Sequence, residues 1–319
     1  MRFAFLVVLS VCFAWGPASR ADQSDDVEHT RTIGILSGRH PLQLSAANFA
    51  QRKLEEDGFE CQVIALPDAG DSEELERQLE SLSERGPKVL AAGGREATDL
   101  LVSRFPETPV VHFMASRALH TELLSSGDSD QARVAGVATE ASTDDQLQWV
   151  QLLDPECKRI GVLYSESSAE TVRSFSEAAQ HARIEIAPIL ADRSRFADAL
   201  DALEKCHCDA VLMLADAQIY NSPNVQELIL WGLRRKVGIF AFSGNVVKAG
   251  ALGGCYTTPE AVGACTADIV TRIAGGADPS DIGLEFAKPT EKAVNLTTLR
   301  RLGLRVSDSA IEKAEQYGE

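Results

Sequence analysis

From residue 32 onward the chain alternates between short apolar runs rich in β-branched residues and longer stretches whose apolar positions recur at helical spacing. Unbroken apolar runs bounded by turn residues predict strands buried on both faces, as the strands of parallel sheets are. The expected strands are Thr32–Leu36, Glu60–Leu66, Lys88–Ala92, Val110–Phe113 and Val134–Ala138, followed by Arg159–Tyr164, Glu185–Leu190, Ala210–Leu214 and Gly238–Phe242. Segments between them, such as Ala169–Ala182 and Phe196–Lys205, read as amphipathic helices. The pattern restarts near residue 158, and the length suits two cores of about 150 residues each better than one. The expected fold is therefore α/β, with two doubly wound parallel-sheet lobes joined by a hinge. Lobe I is expected over 32–140 plus 245–286, and lobe II over 141–244 plus 287–319, with chain crossings near Ala138–Ser142, Phe242–Asn245 and Glu285–Pro289.

The first residues follow another logic. Met1 and Arg2 precede an uncharged apolar run, Phe3–Gly16; Pro17 breaks it, and Ser19-Arg20-Ala21 offers small residues for a signal peptidase. The run is shorter than the roughly 20 apolar residues of a spanning helix, so residues 1–21 are read as a cleaved signal peptide and 22–31 as a polar leader. Cys12 follows Val11 instead of a small residue, which argues against lipid attachment. The expected location is the periplasm.

Composition narrows the partners. The 319 residues carry 31 Lys and Arg against 47 Asp and Glu, a net charge of -16; loss of Arg2 and Arg20 with the leader makes it -18. Such a surface repels phosphate backbones, so no nucleic-acid partner is expected. Aromatics make up only 6% of the chain, which weighs against an aromatic cage around a ligand.

Open parallel sheets bind ligands beyond the carboxyl ends of their strands, where helix N-termini present free N–H groups. The loops there carry Ser37-Gly38-Arg39-His40-Pro41, Gly93-Gly94-Arg95, Ser116-Arg117, Ser165-Glu166-Ser167-Ser168, Asp216 and Ser243-Gly244-Asn245. Pro41 suits a first helical turn, and Gly93-Gly94 a tight turn with close backbone approach. No nucleophile elbow, P-loop, dinucleotide fingerprint or zinc-protease motif occurs, so no catalytic residue, cofactor or metal is expected. His112 lies within a strand and reads as a packed core residue. Cys206-His207-Cys208 sits at the amino end of a strand, away from the ligand side, and reads as a disulfide partner with a turn histidine. Export and a shared sheet edge predict a bridge from Cys157 to Cys206 or Cys208.

These loops, together with Val89-Leu90-Ala91-Ala92-Gly93-Gly94, Pro109-Val110-Val111 and Lys158-Arg159-Ile160-Gly161-Val162-Leu163-Tyr164, carry a resemblance over nearly the whole mature chain. More specific are Phe240-Ala241-Phe242-Ser243 leading into Val247-Lys248-Ala249-Gly250-Ala251-Leu252, and Val294-Asn295-Leu296 with Leu302-Gly303-Leu304. The sequence resembles ABC-transporter substrate-binding proteins whose best-understood members bind tryptophan or phenylalanine, with a type I periplasmic binding protein fold. The resemblance implies a non-enzymatic receptor that closes on a small solute, an amino acid or related small acid, and delivers it to an ABC permease. It implies that Asp216 holds an α-ammonium group and that Arg95 or the Gly94 amide holds a carboxylate. Ser37, His40, Gly93, Ser116, Ser165, Ser167 and Ser243 would complete the ligand-binding set, with Tyr164 or Tyr220 stacking on an apolar ligand body. Where many members carry Asp-Pro after the fourth strand, this chain has Met114-Ala115-Ser116-Arg117, and Arg39, Arg95 and Arg117 favour an anionic solute. The alternatives are a sensor of the same fold acting on a membrane signalling protein and an exported enzyme.

Overall fold

The computed structural model describes residues 32–67, 72–126 and 133–318. The expected signal peptide and polar leader lie outside the described residues.

The first sheet is built from β1 (Thr32–Ser37), β2 (Glu60–Ala65), β3 (Val89–Gly93), β4 (Val110–Ala115), β5 (Val134–Ala138) and β11 (Leu284–Phe286), in the order β11-β5-β4-β3-β1-β2. The second contains β6 (Arg159–Tyr164), β7 (Glu185–Leu190), β8 (Ala210–Met213), β9 (Gly238–Ala241), β10 (Gly253–Tyr256), β12 (Glu291–Asn295) and β13 (Glu315–Tyr317), in the order β13-β12-β10-β9-β8-β6-β7. The order β2-β1-β3-β4-β5 recurs as β7-β6-β8-β9-β10, which is the restart read from the sequence near residue 158. Pairing is parallel throughout, apart from β10 with β12.

Central strands are apolar on both faces because helices cover both. β1, β3 and β5 are buried along their whole length, whereas β2 and β7, at sheet edges, have exposed residues. In the first lobe, Ile33, Ile35 and Val111 pack beneath the helices Pro41–Glu56 and Pro259–Ala274, while Leu36, Leu79, Leu90 and Leu101 fill the opposite face. In the second, Ile160, Phe175 and Leu212 lie on one face, and Leu163, Leu203, Val211 and Met213 on the other.

Three segments join the lobes. The chain leaves β5 at residues 139–142, returns after β10 at 257–258, and leaves β11 again at 287–290. Thr257 Oγ1 donates to the Thr139 carbonyl at 2.6 Å, tying the first two together. The middle crossing differs from the expectation near residue 245: β10 pairs with β9 and β12, so residues 245–256 belong with the second sheet. Gly253 and Gly254 hide this strand from a propensity reading. The packing requires them, since a Cβ at Gly254 would lie 2.6 Å from the Ala241 carbonyl.

The cysteine pairing is also corrected. Cys206 is bonded to Cys208, and Cys157 is a buried free thiol. His207, the residue between the bonded pair, caps the helix Phe196–Cys206 at φ 50°, and this left-handed turn brings the flanking Cα atoms to 5.6 Å.

Candidate functional site

The order of each sheet reverses between β1 and β3 and between β6 and β8, the switch points where doubly wound folds receive ligands. Most of the expected site residues fall there. In the first lobe Ser37 ends β1, buried, with its hydroxyl on the Gly38 carbonyl at 3.0 Å. Gly38 N–H donates to the Gly93 carbonyl at 2.8 Å, closing the two loops on each other. His40 caps the helix Pro41–Glu56: its Nδ1 accepts from Leu42 N–H at 3.3 Å, and Gln43 Oε1 accepts from its backbone N–H. His40 thus has a capping role in this arrangement. Gly94 precedes the helix Arg95–Arg104 at φ 85°, a conformation glycine adopts without strain. Gln43 fills the space over both loops, since a Cβ at Gly38 or Gly94 would come within 2.2 Å of its side chain. Its position was not legible from the sequence.

The second switch point is knitted more tightly. Asp216 follows β8 and is 5% exposed. Its Oδ2 accepts from Ser165 N–H at 3.1 Å and from the Ser165 and Ser168 hydroxyls at 2.6 Å each; its Oδ1 accepts from Gln218 N–H at 2.8 Å. Burial pushes this carboxyl up, but the hydrogen bonds from Ser165, Ser168 and Gln218 outweigh burial and hold it below the usual carboxylate range. Ser167 is exposed, its hydroxyl 2.8 Å from that of Ser165. Both carboxylate oxygens are therefore occupied by the loop they organise, which sequence reading does not reveal.

The remaining expected residues divide. Tyr164 is half-buried against the core at the end of β6. Ser243 precedes the short helix Gly244–Lys248 without capping it. Ser116 is exposed, and its hydroxyl accepts from Leu119 N–H at 3.3 Å. Arg95 is exposed and paired with Glu122 at 2.5 Å and Asp99 at 3.8 Å, and Arg39 is paired with Glu96 at 3.0 Å. Tyr220 is buried between Phe196 and Phe242, with ring centroids 6.4 and 6.1 Å away, and it packs in the core. The helix Arg117–Ser126 packs against the turn Glu166–Ser168 and the helix Ala169–His181 of the other lobe. The rims of the two sheets thus meet at the start of that helix.

Among the described residues no group of three or more His, Cys, Asp or Glu is placed to hold a metal, and no helix is long and apolar enough to cross a membrane. Two cavities lie away from the switch points: one of about 640 Å³ lined by Leu296, Leu299, Asp308 and Ile311, and one of about 1020 Å³ beside Pro87, Glu107 and Arg133.

Two similar doubly wound lobes, joined by three crossings and meeting at their carboxyl ends, define the type I periplasmic binding protein class of fold. The chain belongs to the ABC transporter substrate binding protein family, whose model matches residues 40–317. It is 23% identical over 203 residues to a tyrosine-binding protein of Clostridioides difficile strain R20291; the match takes in 62% of this chain and spans only 58% of that relative. Among solved structures it resembles an ABC domain from Streptococcus pneumonia in complex with L-Trp, at 20% identity and a TM-score of 0.61. It also resembles the ligand-free, open form of a substrate binding protein with adhesive properties from Clostridium difficile, at 18% identity and 0.67. Each covers 90% of this chain and 99% of its own.

Proposed function

We propose that this chain is the non-enzymatic solute receptor of an ABC transporter, which closes on an amino acid or related small acid and presents it to a membrane permease. The observation that carries the reading is the pair of polar switch-point loops, Ser37–Gly94 in one lobe and Ser165–Asp216 in the other, on rims that meet beside a three-segment hinge. Ligand favours the closed form of such a pair through contacts with both lobes. Family membership supports the role, and the ligands named for the tyrosine-binding relative and the L-Trp complex support an amino acid.

In this reading Asp216 supplies the negative charge opposite an α-ammonium group, and the hydroxyls of Ser165 and Ser167 make the direct contacts. Ser116 and Ser243 add neutral hydrogen bonds and Tyr164 covers the ligand's apolar body, whereas the Gly94 amide expected to hold the carboxylate donates to the Phe113 carbonyl at 2.8 Å and the buried Ser37 hydroxyl to that of Gly38. The leader at residues 1–21 supports export to the periplasm.

Mass spectrometry of small molecules released from the purified native protein, followed by thermal-shift titration with L-tyrosine, L-tryptophan and other amino acids, tests the proposal. Stabilisation should rise with ligand concentration, reaching about 2.7 kcal/mol at a hundredfold excess over Kd. No released solute and no shift with any amino acid would overturn it. Turnover of a bound solute would replace the receptor with an enzyme.

A further inference from the structure

Arg117 stands where the hinge and both lobes meet. β4 carries an extra residue at its carboxyl end: its pairing with β5 steps from Phe113–Val137 to Ala115–Ala138, leaving Met114 at φ 52°. A bulge of this kind redirects the chain beyond it, here the segment Ser116-Arg117. The Arg117 side chain is only 8% exposed. Its Nε donates to Glu140 Oε1 at 2.5 Å, its guanidinium carbon lies 4.6 Å from the centre of the Phe286 ring, and its Nη1 donates to Ser174 Oγ at 3.1 Å. Glu140 belongs to the first crossing, Phe286 is the last residue before the third, and Ser174 sits on the helix Ala169–His181 of the second lobe. One side chain of the first lobe therefore grips the first crossing and the residue that leads into the third, and reaches into the opposite lobe.

The same group is left incomplete. Nη2 of Arg117 is buried with no acceptor. An unpaired buried donor is costly, and a buried charge is repaid only by good geometry and full hydrogen bonding. The bond to Ser174 on the opposite lobe favours the arrangement seen here, while the burial of Nη2 without a protein acceptor opposes it. A contact that both holds and taxes one arrangement makes a two-state element.

We propose that Arg117 is a hinge clasp with Ser174 as its catch, a positioning residue that sets the balance between open and closed lobes without touching the solute. Its effect on affinity rests on the receptor reading; the lobe balance itself is measurable with no solute present.

The test is small-angle X-ray scattering on the solute-free mature protein, comparing wild type with Ser174→Ala, Ser174→Thr and Arg117→Lys. Ser174→Ala removes only the catch and leaves the contacts with Glu140 and Phe286 in place. The expected result is a larger radius of gyration for Ser174→Ala and Arg117→Lys, with Ser174→Thr, which keeps the hydroxyl, matching wild type. Scattering of Ser174→Ala that superimposes on wild type overturns the clasp, whatever becomes of Arg117→Lys. If the scattering shifts as expected but wild type shows no amino-acid binding, the receptor reading falls and the clasp stands.

Discussion

Ser165 is joined to Asp216 twice, through its amide and its hydroxyl, and both bonds end on the same carboxylate oxygen, Oδ2. The loop after β6 is thereby fastened to the loop after β8 at the switch point between those strands. Asp216 shapes this rim of the second sheet, whatever charge it also contributes.

Asp216→Asn should therefore destabilise the second lobe as well as weaken solute binding. Hydrogen bonds to a charged group are worth about 1.5–3 kcal/mol, and a loss of roughly 2 kcal/mol at pH 7 is expected from urea unfolding. Because the folded carboxyl is held below its unfolded value near 3.9, the stabilisation is present above that pH and disappears as pH falls through the folded value. The gap between variant and wild type should close in acid. A gap that stays constant down to pH 3 would rule out the ionised carboxylate as its source.

His112 and His120 form a buried pair, Nε2 to Nδ1 at 2.9 Å, and His112 Nδ1 has no partner. Burial, with His120 adding to it, pulls His112 down to about 3, and burial also lowers His120. A histidine that charges more readily when unfolded costs stability as pH falls below about 6.5. Unfolding free energy should drop by up to about 1.4 kcal/mol per pH unit for each such group between pH 6 and 4. His112→Leu should flatten that slope, and a slope equal to wild type would exclude the pair.

Gly263 lies where the helix Pro259–Ala274 crosses the helix Pro41–Glu56. A Cβ there would come 2.5 Å from the Ala46 carbonyl oxygen and 3.0 Å from the Ala50 nitrogen, backbone atoms that have little freedom to move. Gly263→Ala should cost about 1–3 kcal/mol through overpacking, seen as a lowered Tm, even though alanine is the better helix former.

The cysteine assignment is checked by peptide mapping under non-reducing conditions, which should find Cys206 linked to Cys208. Cys157 should resist alkylation until the protein unfolds, because burial pushes its thiol up to about 12 and hides it. Replacing both Cys206 and Cys208 by Ser should cost at most about 2 kcal/mol, since so short a loop restricts the unfolded chain little.

Much of the architecture was legible because buried parallel strands announce themselves as unbroken apolar runs between turn residues. β5, β6 and β7 coincide with the expected spans, and the other six expected strands shift by one or two residues. β10 was invisible because two of its four residues are glycine. β12 and β13, rich in Glu, Lys and Gln, have no continuous apolar run. At the candidate site, the rule for open sheets led to loops that lie at the two switch points but said nothing of what each side chain does. Arg117 reaches Ser174 across 57 positions and Ser165 reaches Asp216 across 51, and contacts between segments so far apart in sequence have no local signature.

Neither lobe is a continuous piece of chain. The first sheet waits for β11 near residue 285 and for the helix Pro259–Ala274, and the second waits for β12 and β13, at residues 291–295 and 315–317. During synthesis the first core therefore cannot close before residue 286 is made, nor the second before residue 317. Chains halted before about residue 255 would expose apolar faces of both sheets at once, and would be targets for chaperones and proteases.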